Sequence, residues 1–184
     1  MDCSGKHAAM LLTCVVNDWD VTTYLDPDHP LQRVVTDTFT ELTDGPPSVV
    51  GVDGCGAPLL ATPLQQLARA IGRVVQQPAG SAGARLTGAM REHPEYVSGT
   101  TRAEQALMRA VPGLVAKSGA ESVFVVALDD GSAFAVKIED GAERPLYAVM
   151  SRMLELAGLE APILHERPVV LGGGKQVGEL RTAF

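Results

Sequence analysis

The sequence predicts an α+β domain in which helices cover an antiparallel sheet. Two observations carry this. From the N-terminus to about Val111, apolar residues recur mainly at helical spacing, and Gly-Pro, His-Pro and Pro-Gly dipeptides break the runs. After that the pattern changes: 122–128 and 133–138 are rich in Val, Phe and Ala on either side of Asp129-Asp130-Gly131-Ser132, a hairpin signal, and a helical run over 145–157 follows.

Taken in order, Ser4 is the expected N-cap of a first helix whose apolar run is Ala8–Val16. Asn17-Asp18-Trp19-Asp20 is turn chemistry. A second helix is expected over 31–42, with Leu31, Val34, Val35, Phe39 and Leu42 on one face, Asp28 as its cap and Pro30 in its first turn. Val49–Val52 reads as a short strand leading into Asp53-Gly54-Cys55-Gly56, where glycines on both sides of Cys55 allow a sharp bend. Pro63 opens a helix with Leu64, Leu67, Ala68, Ile71, Val74 and Val75 inward, and further helices are expected over 84–91 and 102–111. The tail from Val169 contains Gly172-Gly173-Gly174 and one weak strand.

Composition sets limits. At 184 residues the chain has a one-domain length, 46% of it is hydrophobic, and only 4% is aromatic, so the core must be aliphatic. A net charge of -7 argues against nucleic acid or an anionic membrane as partner. No apolar run approaches the roughly 18 residues of a membrane span, and no signal peptide precedes the first motif. Three cysteines, an odd number without an export signal, read as reduced thiols in the cytoplasm.

The densest chemistry is Cys3-Ser4-Gly5-Lys6-His7. Cys3 and Lys6 lie one helical turn apart at a helix N-terminus, so thiol and amine can meet at one point. The positive end of the helix favours a thiolate at Cys3 and a neutral amine at Lys6. The plain alternative is that the cysteines are core thiols and Lys6 is solvated. Lys117-Ser118-Gly119 matches the Lys-Ser/Thr-Gly motif of serine acyl-transfer enzymes, against a solvated lysine before a turn. Asp53 could receive an ammonium or could merely satisfy turn amides. His7 reads as a structural hydrogen-bonding group and His93 as a helix-end residue; Lys137, with Glu139 and Asp140, reads as a strand end.

Four stretches in this order, Cys3-Ser4-Gly5-Lys6-His7, Val52-Asp53-Gly54-Cys55-Gly56-Ala57-Pro58, Leu114–Glu121 and Ala135–Gly141, resemble the L-asparaginase II family of Rhizobium-type asparaginases. The resemblance runs from Asp2 to about Leu159. It implies a serine β-lactamase/glutaminase-like fold and hydrolysis of L-asparagine to L-aspartate and ammonia by serine-lysine acyl transfer. It also implies zinc on Cys3, Lys6 and Cys55, with Lys117 as the catalytic lysine. Two positions depart from the family pattern: Asp2 replaces an asparagine, and Glu104 stands where an aspartate or cysteine is expected. Ser-x-x-Lys, the pair that would supply the nucleophile, occurs nowhere in the 184 residues. Resembling enzymes carry a long segment ahead of the first motif. The expectation is therefore that residues 1–184 are the C-terminal portion of a single, incomplete asparaginase II-like domain. The alternative is a catalytically inactive, dimerising zinc-binding remnant, and a β-lactam or glutamine hydrolase on the same fold is a weaker third reading.

Overall fold

The computed structural model describes residues 3–165 and 167–184. Asp2, one of the two departures from the family pattern, therefore lies outside the described residues. The chain divides into two compact units, Met1–Gln66 and Leu67–Phe184.

The first unit holds helix α1 (Ser4–Val16), helix α2 (Pro30–Thr43) and a hairpin of strands β1 (Val49–Val52) and β2 (Pro58–Ala61). Helix α1 starts one residue earlier than its capping chemistry suggests. Cys3 is the N-cap and makes no side-chain cap bond, while Ser4 is already helical. A thiol is a weak acceptor, so the Cys3 sulfur is left for other partners. Helix α2 is capped by His29 and not by Asp28. His29 Nδ1 accepts from the Leu31 N–H at 3.1 Å, and Nε2 lies 2.9 Å from the Asp20 carbonyl. With Nδ1 accepting, the proton sits on Nε2 and donates to Asp20. Gln32 ties the same loop down, its Nε2 donating to the Tyr24 carbonyl at 2.8 Å. Thr43, fully buried, donates its hydroxyl to the Phe39 carbonyl and contacts the Gly45 carbonyl. Asp44 ends α2 in the left-handed region at φ 61°. Strand β1 falls where the sequence places it; its partner β2 carries no sequence signal, because Pro58-Leu59-Leu60-Ala61 is too short to show a period.

The second unit begins within helix α3 (Leu64–Val75) and continues with α4 (Ala82–Glu92), the single turn α5 (Glu95–Ser98) and α6 (Ala103–Ala110). A three-stranded antiparallel sheet follows in the order β3 (Val115–Gly119), β4 (Val123–Ala127), β5 (Ala133–Lys137). Then come helix α7 (Leu146–Leu156), a 3-10 turn (Pro162–His165) and a terminal hairpin of β6 (Val169–Gly172) and β7 (Lys175–Glu179). Ser81 caps α4, its hydroxyl accepting from the Ala84 N–H at 3.1 Å. His93 closes α4, as its position beside Pro94 suggests.

Alternation in β4 is lost because the sheet is covered on both sides: Phe124, Val126 and Ala127 are fully buried and Val125 nearly so. Helix α7 brings Leu146, Met150 and Leu154 to this core, α6 brings Leu107 and Met108, and Leu114 and Leu164 complete it. Gly72 in α3 allows the turn between β4 and β5 to come close. A Cβ there would stand 2.6 Å from the Gly131 carbonyl oxygen.

The class is thus α+β, with seven α-helices and three small antiparallel sheets among the described residues. No helix among them is long and apolar enough to cross a membrane.

Candidate functional site

Four of the five residues singled out by sequence meet at one place in the first unit. The loop between β1 and β2 is closed by its own backbone: the Asp53 N–H donates to the Ala57 carbonyl and the Gly56 N–H to the Asp53 carbonyl, both at 2.8 Å. Gly56 makes the bend at φ +85°. The Gly54 N–H donates to Asp53 Oδ1 at 2.8 Å, which fixes the carboxylate against the loop. Cys55 projects from this loop toward the start of α1.

There the Cys3 and Cys55 sulfurs and an Asp53 carboxylate oxygen lie within 4.8 Å of one another. The Lys6 amine donates to Asp53 Oδ2 at 3.1 Å and to Cys55 Sγ at 3.3 Å. The Cys55 thiol donates to Asp53 Oδ2 at 3.3 Å. Both cysteines are half-buried and Lys6 is exposed.

The electrostatics reverse two expectations. Cys3 is held above the usual thiol range, chiefly by its hydrogen bond to Cys55 and then by burial, against the pull of Lys6. Burial pushes Lys6 down, but hydrogen bonds to Asp53 and Cys55 outweigh it, and the amine titrates above its ordinary value. Asp53 is held low by hydrogen bonds from Cys55, Lys6 and the Gly54 N–H. The local carboxylate therefore outweighs the helix end. Cys3 keeps its proton toward Cys55, and Asp53 is an anion faced by a charged Lys6.

Two sulfurs, an amine nitrogen and a carboxylate oxygen form a donor set that suits zinc and is too soft for magnesium or calcium. An ion here would need Lys6 to give up its proton, and that would release Asp53 from its ion pair.

Cys14 is fully buried on α1 and is a core thiol. His7 Nδ1 lies 2.6 Å from the Tyr24 hydroxyl, with the rings edge to face. Tyr24 is a partner that no local spacing could reveal. The contact gives His7 a structural role, while its Nε2 is buried without a partner among the described residues.

Lys117 belongs to the second unit. It sits on β3, exposed, with its amine 2.6 Å from the Ser118 carbonyl. Burial, which could tune a proton-shuttling lysine, is absent at this position. Lys137 donates to the Glu121 and Ile138 carbonyls and so ties a strand end to a turn. Glu104, in the first turn of α6, is fully buried, and neither carboxylate oxygen has a hydrogen-bond partner among the described residues. The Tyr147 hydroxyl senses it: burial first, then the charges of Glu104 and Glu143, push that group up. Tyr147 also lines a cavity of about 540 Å³ with Arg102, Glu143, Met150 and Ser151. Lys117 does not line it.

A family model described as L-asparaginase II matches residues 1–182. No curated protein matches the chain.

Proposed function

The chain belongs to the L-asparaginase II family, and from that premise we propose that it serves hydrolysis of L-asparagine to L-aspartate and ammonia. The family supports an asparaginase-like amidohydrolase acting on a small molecule. The finer reading is serine-lysine acyl transfer on a serine β-lactamase/glutaminase-like fold, in the cytoplasm.

The observation that carries the reading is the convergence of Cys3, Lys6, Asp53 and Cys55. Cys3, Lys6 and Cys55 would hold zinc. When bound, that ion would keep the start of α1 and the β1–β2 loop in register and lower the charge on the ligands it contacts. Asp53 would receive the ammonium of the amino-acid substrate, the role in which Lys6 serves as its partner in this structure. Lys117 would carry protons for a serine nucleophile, which the sequence does not supply as Ser-x-x-Lys.

The exposure of Lys117 supports a second reading, a dimerising zinc-binding remnant without turnover. Metal analysis of the purified chain, with Cys55→Ser beside it, and an ammonia-release assay with L-asparagine separate the two. The first reading expects one zinc per chain, lost in Cys55→Ser, and ammonia from this chain or from a longer relative that carries Ser-x-x-Lys. Zinc without ammonia from either protein would favour the remnant. No zinc at all would remove the metal from both.

A further inference from the structure

We infer that Cys3 and Cys55 are a reactive dithiol whose co-substrates are low-molecular-weight disulfides, and that exchange closes a Cys3–Cys55 bond within the chain. The inference rests on geometry and needs neither zinc nor asparagine hydrolysis.

Three features of the pair support it. The two sulfurs lie within 4.8 Å of each other, and a disulfide requires a separation of about 2.05 Å. That approach is within reach of side-chain rotation plus a small loop adjustment. The loop can adjust because Cys55 stands between Gly54 and Gly56, and a Cβ at Gly54 would meet nothing within 4 Å. Neither cysteine is buried, both being intermediate in exposure, so a small disulfide has a way in, and the Lys6 amine stands 3.3 Å from Cys55 Sγ. Cys14, at 0% exposure, is shielded from the same reagent and serves as an internal control.

The step balances. One protein thiolate attacks a sulfur of the small disulfide, the small S–S bond breaks, and one small thiol leaves. The second protein sulfur then attacks the mixed disulfide, forming the Cys3–Cys55 bond and expelling the second small thiol. Two electrons pass from the protein to the small disulfide, and the two protons end on the released thiols. Once joined, neither sulfur can serve as a thiolate ligand, so crosslinking and metal binding exclude each other. In a reducing compartment such a bond is transient, which suits a switch more than a staple.

The test uses the full chain treated with chelator and then with oxidised glutathione. Thiols are counted after denaturation, and the intact mass is measured. The expected result is a fall from three thiols to one, a mass lower by two hydrogens with no glutathione attached, and a crosslinked peptide joining Cys3 to Cys55. Cys14→Ser should still lose the same two hydrogens. Cys3→Ser and Cys55→Ala should each hold one glutathione and form no internal bond. Glutathione adducts on both Cys3 and Cys55 of the unsubstituted chain, or three thiols surviving while the denatured chain reacts, would overturn the inference. A negative metal analysis leaves this test untouched, because no zinc is present and no ammonia is measured.

Discussion

The two units are held together by different means. In the second, a continuous apolar cluster joins sheet and helices, with Phe124, Leu114, Leu146, Met150, Leu154 and Leu164 almost wholly excluded from water. In the first, the buried apolar side chains are few (Cys14, Leu31 and Ala57), and beside them lie buried His29, Gln32 and Thr43. Many of its large apolar residues face outward instead: Leu12, Val15 and Val16 on α1, Val34 and Val35 on α2, and Val49, Val50 and Val52 on β1. The difference separates two jobs. The apolar unit secures its shape by burial, whereas the unit that gathers the thiols depends on hydrogen bonds, each of small net worth but costly to leave unmade.

The contrast can be broken most directly at Phe124. Phe124→Ala should cost about 3–5 kcal/mol in chemical denaturation, since it leaves a cavity in a closed core. A cost below about 1 kcal/mol would mean that the cluster is looser than its burial implies. In the first unit the sensitive positions are polar. Gln32→Ala strands the Tyr24 carbonyl and should cost about 1–3 kcal/mol, read as a lowered urea midpoint. His29→Ala removes the α2 cap and the bond to Asp20, and about 1 kcal/mol is expected for the cap. If both substitutions were silent, the first unit would owe its shape to something other than these bonds.

The smallest effect is expected from acid on the second unit. Arg167, followed by Arg152, holds Glu155 below its ordinary value by hydrogen bonds, against the opposing effect of burial. A carboxyl lowered in the folded state adds stability that is complete above its unfolded value of 4.5 and is lost as pH falls through the lower folded one. Midpoints measured between pH 6 and pH 3 should therefore fall less in Glu155→Gln than in the unsubstituted chain. Equal slopes would show that this surface pair adds nothing.

Legibility in the sequence follows the same division. Helices α3 and α7 and the β4–β5 hairpin are readable because their apolar spacing reflects a buried face or an unbroken buried run. Helix α2 is readable in extent but not in face, since Val34 and Val35 of its apolar stripe are exposed, and α4 is marked by its stop at His93-Pro94. Strand β2, helix α5 and the pairing of β6 with β7 are not, since four or five residues are too few to show a period. In the candidate site, residue type and helical spacing bring Cys3 and Lys6 together, and the glycines announce the Cys55 loop. Spacing could not reveal that Asp53 would pair with Lys6 and keep its amine charged. That depends on a loop folding back across a long stretch of sequence. The same limit hides Tyr24 behind His7.

The close approach at Gly72 has a further consequence. At Gly72 the α3 backbone comes so close to the Gly131 carbonyl that a single added methyl has no room. Such a joint cannot be tuned by choosing a slightly larger residue. It is kept whole or it opens, and alanine at position 72 would act as a wedge, prying the β4–β5 turn off the helix from its far end.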